Sequence, residues 1–290
     1  MIKLKVKVET IEKEDVKIYK MATLDNQDNP VIWVSAFLMD GLLIDCGHHH
    51  ARKEFLSLLN MEEVEMAVLS HHHEDHFGAA KLLMNEHKIP VYATKTTAFL
   101  IRPKILIPPE RNLAWGTPDP CIVEELPNVN EINTLRGNFN IIPSPGHCRN
   151  LISFFQEEKR YLFCTDAIAD SRQTVLFNWE NANVILRTLH EFKTLKPKYI
   201  FSSSGKIFTV KDLDDLIKFW TDIKQQSTEL YSNGVKLSKI VKEIFGSESW
   251  MKRSTGGDIS RENLIRSLLD LPPIFKRRTS KNRKKNRQLK

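Results

Sequence analysis

The chain has 290 residues, 41% of them hydrophobic, which suits one large domain or one domain with a small appendage. Its formal charge of +7 belongs to the end of the chain, where Lys276 to Lys290 (KRRTSKNRKKNRQLK) carry nine Lys or Arg and no acid, so the rest is close to neutral. No stretch approaches the roughly 18 apolar residues of a membrane helix, no unbroken apolar run marks a secretory signal, and Cys46, Cys121, Cys148 and Cys164 lack the paired spacing of a disulfide framework, so a soluble cytoplasmic protein is expected.

Near the N-terminus Ile2, Leu4, Val6 and Val8 alternate with Lys3, Lys5 and Lys7, the period of a half-exposed strand. Asp40-Gly41 splits two apolar runs, 31–39 and 41–44, and predicts a hairpin. The second run ends in Asp45-Cys46-Gly47. A short helix over 51–60 follows, then a strand over 64–69, a helix over 79–87 closed before Pro90, and a strand over 90–93 with Thr94 as the next helix cap. Pro103, Pro108, Pro109, Pro118, Pro120 and Pro127 then break the pattern. A segment this long inside a compact domain reads as a covering loop with Trp115 at its tip, an inert surface insertion being the competing reading. Strand signals resume at 139–142, 151–155, 161–163 and 199–201. From Thr209 the period turns helical, through Leu213, Leu216, Ile217, Trp220 and Ile223, and again through Leu237, Ile240, Val241 and Ile244. Gly256-Gly257 precedes a last helix over 260–269, which Pro272-Pro273 stops. This divides the chain into 1–210, a helical segment 211–270 and a basic, disordered tail 271–290.

Between the strand 64–69 and the helix 79–87 stands Ser70-His-His-His-Glu-Asp-His76, polar and proton-binding where core is expected. In an extended segment residues two apart project to one side, so His71 and His73 can share one ion, while Asp75 and His76 come after the turn and can face a second position. Imidazoles suit zinc, iron or nickel, and carboxylates suit most divalent ions. The end of a strand before a helix is also where open α/β architectures put their sites. On the same spacing grounds His72 and Glu74 point away, as supporting or surface residues.

The pattern H-x-H-x-D-H resembles the signature of the metallo-β-lactamase-fold hydrolases, and the match runs over roughly residues 20–210. Asp45-Cys-Gly47 stands where that family has an early strand-ending Asp-x-Gly. His147 of Ser144-Pro-Gly-His147 matches the third ligand of the first metal, and Asp166 of Cys164-Thr-Asp166 matches the aspartate that bridges two metals. The resemblance implies an α/β fold, an αββα sandwich with a small C-terminal helical extension. It implies metal ligands His71, His73, Asp75, His76, His147 and Asp166 for one or two Zn²⁺, with Fe or Mn as alternatives. Asp45 is expected to orient a ligand.

In one place the chain departs from the family. The family has a further histidine at the end of the last core strand, and here Ser204 of Ser202-Ser-Ser-Gly205 takes its place. A serine hydroxyl is a poor ligand for such metals. The first position is therefore complete and the second short by one ligand, with His48, His49 or His50 as substitutes from elsewhere. The expected chemistry is attack by metal-activated water, with Asp75 either ligating the second ion or holding the water and accepting its proton. A small acyl substrate (thioester, ester or lactone) is the first reading. An RNA or DNA phosphodiester, gripped by the basic tail, is the second, and a mononuclear-iron persulfide dioxygenase or a degenerate, non-catalytic metal-binding protein are further ones.

Overall fold

The computed structural model describes residues 4–274, so all but the first four residues of the expected basic tail lie outside the described residues. The chain forms two compact units. One takes in the residues up to Gln173 and Asn183–Thr221, the other Thr174–Ala182 and the residues from Asp222 onward.

The larger unit is built on two sheets. The first runs, in spatial order, through β1 (Val6–Lys13), β2 (Val16–Thr23), β3 (Val34–Met39), β4 (Leu42–Ile44), β5 (Met66–Leu69), β6 (Val91–Ala93) and β7 (Glu124–Glu125). Strands β1 to β4 are antiparallel neighbours and β4 to β7 parallel ones. Gly41, at φ 84°, makes the tight β3–β4 turn expected of Asp40-Gly41. Parallel strands need crossovers, and these carry α1 (Arg52–Leu58), α2 (Ala80–Asn85), α3 (Lys95–Ile101) and α4 (Pro109–Trp115). Thr94 caps α3 as expected, accepting from the Thr97 amide. The second sheet holds β8 (Glu131–Asn133), β9 (Asn138–Pro143), β10 (Ile152–Gln156) and β11 (Tyr161–Thr165). Past β12 (Leu176–Phe177) and α5 (Ala182–Thr194) it is completed by β13 (Tyr199–Ser202) and β14 (Ile207–Phe208), with β13 parallel to β11.

The sheets meet through side chains of alternating strand positions. Ile18, Phe37, Met39, Ile44 and Val68 of the first pack with Phe139, Ile141, Phe154, Phe163 and Phe201 of the second. Phe163 stacks on Phe201 at 5.0 Å and meets Phe37 at 5.5 Å across the gap. The opposite face of the first sheet buries Tyr19, Met21, Ala36 and Leu69 against Phe55 of α1, Leu83 of α2 and Ile101 of α3. Leu162 and Ile200 point away from the inter-sheet core and are fully buried too, so the second sheet is covered on both faces. The αββα sandwich follows.

Strand β2 and helix α5 lie where no element was expected. β2 buries side chains on both faces, so the apolar–polar alternation that marks a half-exposed strand is absent. The proline-rich segment also differs from expectation. It contains α4, for which Pro108 and Pro109 supply the N-cap and first helical residue, positions where a missing N–H costs nothing. Trp115 is not at a tip but 6% exposed at the end of that helix.

The smaller unit pairs β12 with β15 (Ile259–Ser260), the latter following α6 (Val210–Ser232), α7 (Leu237–Phe245) and α8 (Trp250–Ser254) and preceding α9 (Arg261–Leu268). Ser260 caps α9 through the Asn263 amide, and the Asn263 side chain donates to the carbonyls of Leu176, Gly257 and Asp258. Among the described residues no helix is long and apolar enough to cross a membrane.

Candidate metal centre

Strands β4, β5 and β11 end at one rim of the sandwich, and each releases a polar turn there. Asp45 leaves β4 at φ 63°, and Thr165 leaves β11 at φ 47°, a left-handed conformation that costs a β-branched residue about 1–3 kcal/mol. These turns point Asp45 and Asp166 toward the Ser70–His76 segment, and the His147 turn after β9 reaches the same place.

The structure brings together donor atoms of His71, His73, His147 and Asp166, all within 4.8 Å of one another, and likewise those of Asp75, His76 and Asp166. His73 is central to the first group, its Nδ1 lying 2.9 Å from His71 Nε2 and 2.8 Å from His147 Nε2. Asp166 Oδ2 is shared, at 3.2 Å from His147 Nε2, 3.3 Å from His76 Nε2 and 3.7 Å from His71 Nε2.

One carboxylate sets the orientation of two of these rings. The Ser70 amide and hydroxyl donate to the two oxygens of Asp45, at 2.7 and 2.8 Å, and His76 Nδ1–H donates to Oδ2 at 2.7 Å. The Ser70 oxygen in turn accepts from His71 Nδ1–H at 2.9 Å. Both rings thereby turn Nε2 toward the cluster.

Burial pushes the pKa of His71 and His73 well below the usual imidazole range, and neighbouring imidazoles add to it, His76 foremost for His71 and His71 for His73. Burial works the same way on His76, but the carboxylates of Asp166, Asp45 and Asp75 overcome it and raise its pKa. Asp166 is held well below the carboxylate range by His76 and His147 in spite of its burial. Asp75 Oδ1 is buried without a hydrogen-bond partner, and His76 Nε2 faces the carboxylates of Asp166 and Asp75 at 3.3 and 3.7 Å. Nε2 of His71 and of His147, crowded within 2.9 Å of His73 Nδ1 beside the carboxylates of Asp166 and Asp75, make with it a donor set that fits a divalent ion.

Three features lay beyond the sequence reading. Ser203, not Ser204, reaches the cluster: its hydroxyl donates to Asp166 Oδ1, while Ser204 Oγ meets Ser202 Oγ at 3.0 Å. His48, His49 and His50 join neither group. His48 is buried, which pushes its pKa down to about 3, and His50 Nε2 contacts the Asn112 carbonyl of α4 at 3.0 Å. Glu74, expected to be supporting or at the surface, is 4% exposed and grips Arg111 of α4 with both oxygens, at 2.7 and 2.9 Å.

That pair ties α4 to the turn carrying His73 and Asp75. Other ties are polar as well, from Thr23 to the Ala114 carbonyl, from His50 to Asn112 and between His48 and the Trp115 backbone, and Trp115 is the buried residue of the helix. Glu74→Gln is therefore expected to raise local opening of 109–116 about 30-fold, the loss of roughly 2 kcal/mol of charge-assisted hydrogen bonding. Amide exchange at Gly116, whose N–H bonds the Asn112 carbonyl, reads this directly, and unchanged protection would show that Trp115 alone holds the segment.

Residues 34–204 match the profile of the metallo-beta-lactamase superfamily. The hydroxyacylglutathione hydrolase of Prochlorococcus marinus (strain MIT 9211) is 25% identical over 222 residues, 73% of this chain and 76% of that protein. The enzyme of the same name from Nitrosomonas eutropha is 25% identical over 137 residues, 47% of this chain and 46% of its own length. Among solved structures, a metallo-beta-lactamase from Pontibacter korlensis has a TM-score of 0.58 at 18% identity, covering 73% of this chain and 98% of its own. A metallo-beta-lactamase family protein from Thermus thermophilus reaches the same TM-score, 0.58, at 15% identity, covering 87% and 90%. At these identities the structures speak for the fold alone. Motif, profile and fold coincide on the same residues, and the chain belongs to the metallo-beta-lactamase superfamily, as a metallo-hydrolase.

Proposed function

We propose that the protein hydrolyses a small thioester, using His71, His73, His147 and Asp166 to hold one divalent ion, zinc being the best match to the donors. The convergence of three buried imidazoles and one carboxylate carries this reading. The hydroxyacylglutathione hydrolases supply the substrate class, since 73% of the chain aligns with one of them. Four unpaired thiols suit a reducing, cytoplasmic setting.

A bound divalent ion supplies a hydroxide at neutral pH, by lowering the pKa of water to roughly 7, and polarises a carbonyl oxygen. The chain does the rest. Asp45 and Ser70 keep His71 and His76 turned toward the cluster, and Ser203 holds Asp166 Oδ1 so that Oδ2 alone faces the imidazoles. Asp75, His76 and Asp166 form a second position with three protein donors. With that position empty, Asp75 accepts the proton of the attacking water, a task to which burial fits it by raising its pKa. Attack forms a C–O bond and breaks the C–S bond, and the departing thiolate takes up the proton.

The test is metal analysis of the purified protein together with turnover of thioesters, lactones, esters and labelled single-stranded RNA. Expected is stoichiometric metal and thioester cleavage that a chelator removes and zinc restores. A metal-free protein, or cleavage of RNA alone, would overturn the reading. Ser203→Ala is expected to weaken metal affinity about tenfold, the lower end of what loss of a ligand's hydrogen-bond partner does, measured by competition with a chromophoric chelator. Ser203→Thr, which keeps the hydroxyl, should retain the affinity.

A further inference from the structure

The rim of the cluster carries a cation that the hydrolytic chemistry does not use. Lys20 follows Ile18 by two residues on β2, so it continues the face that packs between the sheets. Its ladder partner on β3 is Ser35, two residues before the buried Phe37, and Trp33 stands just before β3 with its ring beside the Lys20 ammonium. Where the apolar inter-sheet core ends, that face thus runs on as Lys20 and Ser35.

The side chain of Lys20 lies against Gly205 of the second sheet, where an added Cβ would stand 2.5 Å from Lys20 Cε and 2.8 Å from Cδ. Gly205 closes the turn whose Ser203 donates to Asp166, so the ammonium stands beside the turn that holds the shared carboxylate. Lys20 Nζ lies 4.6 Å from the centre of the Trp33 ring. Neighbouring lysines of these strands are engaged, Lys5 with Asp28, Lys7 with Glu9 and Lys17 with Glu63. Lys20 has no carboxylate or hydrogen-bond acceptor among the described residues. Ser35 Oγ, opposite it, is buried without a partner. A half-buried lysine whose ammonium lies on an indole face, opposite a buried hydroxyl without a partner, is what an anion-binding corner presents before its ligand arrives.

We propose that Lys20 receives an anionic group, carboxylate or phosphate, on the part of the substrate remote from the scissile bond, with the Trp33 ring supporting the adjoining carbon chain. This rests on the hydrolase reading above and names its substrate class, anionic acyl compounds in preference to neutral ones. Remote charge recognition of this kind helps bind and orient the reacting carbonyl.

The test compares kcat/KM of the metal-loaded protein on acyl thioesters of 3-mercaptopropionate, of its methyl ester, and of 2-mercaptoethyl phosphate. One or both charged substrates should exceed the neutral ester about tenfold, and Lys20→Met should bring that ratio to near one through KM, with Lys20→Arg preserving it. Whichever anion holds the larger ratio identifies the group. A ratio unaltered by Lys20→Met, or equal losses on charged and neutral substrates, would overturn the proposal. Binding of the S-methyl analogues, followed by tryptophan fluorescence with Trp33→Phe as control, separates the two readings. Lys20-dependent anion binding without turnover of any thioester would remove the hydrolase reading and keep the corner. Turnover with no dependence on Lys20 would do the reverse.

Discussion

His73→Ala is expected to lower thioester turnover by on the order of 10³-fold or more and to strip the purified protein of metal. His73 Nδ1 is within 2.9 Å of both other imidazole nitrogens of the first group, so its loss takes away the donor that links the strand-end segment to the His147 turn. Residues that act as one unit fail together, and one missing ligand costs nearly as much as losing the set. Metal loss also carries a stability signature. An ion that binds the folded chain alone, present at about 1,000 times its dissociation constant, adds about 4 kcal/mol, so the wild-type melting temperature should fall on chelation and that of the variant should not respond. Calorimetry with and without chelator, beside metal analysis, checks both parts. A variant that keeps stoichiometric metal and activity would show that the imidazoles converge for some other reason.

Gly78→Ala is expected to cost more than about 3 kcal/mol of folding stability, a large effect for one added methyl group. Gly78 lies directly under the Cys46–His49 turn, where a Cβ would stand 2.3 Å from the His48 carbonyl carbon and 2.4 Å from the His49 nitrogen. Both are backbone atoms, so no side chain can swing aside. Three main-chain hydrogen bonds lace the two segments there, from Cys46 to His76, from Gly78 to Gly47 and from Ala79 to Cys46, at 2.7, 2.7 and 3.1 Å. Forcing them apart moves Asp45, and with it the hydrogen bonds that orient His71 and His76. Denaturant unfolding should show the loss, and metal affinity should fall with it. A variant of wild-type stability would mean that the two turns are free to separate.

Much of the site was legible because its chemistry is local. His71, His73, Asp75 and His76 lie within six residues after a strand, and their spacing sorts them into the two groups that the structure presents. Ser203 escaped the sequence reading for the opposite reason. Within Ser202-Ser-Ser204 nothing distinguishes the three hydroxyls until the chain direction after β13 selects which one meets Asp166. Glu74 was left open between supporting and surface because strand spacing says only that it points away from its neighbours, not that Arg111, 37 residues on, waits there with a fork of donors. Strand β2 was hidden by burial on both faces.

Local order in the chain therefore determined which residues can hold a metal and which strands and turns deliver them, since ligand spacing and hydrophobic period are properties of short segments. Tertiary structure alone decided that Asp45 orients two rings at once, that Ser203 rather than Ser204 meets Asp166, that the His48 tract stays away, and that Lys20 stands at the rim without an acceptor. Those outcomes depend on how two sheets stack and where their strands end. Distances of a few ångströms between residues far apart in the chain are set by that packing and leave no trace in local sequence.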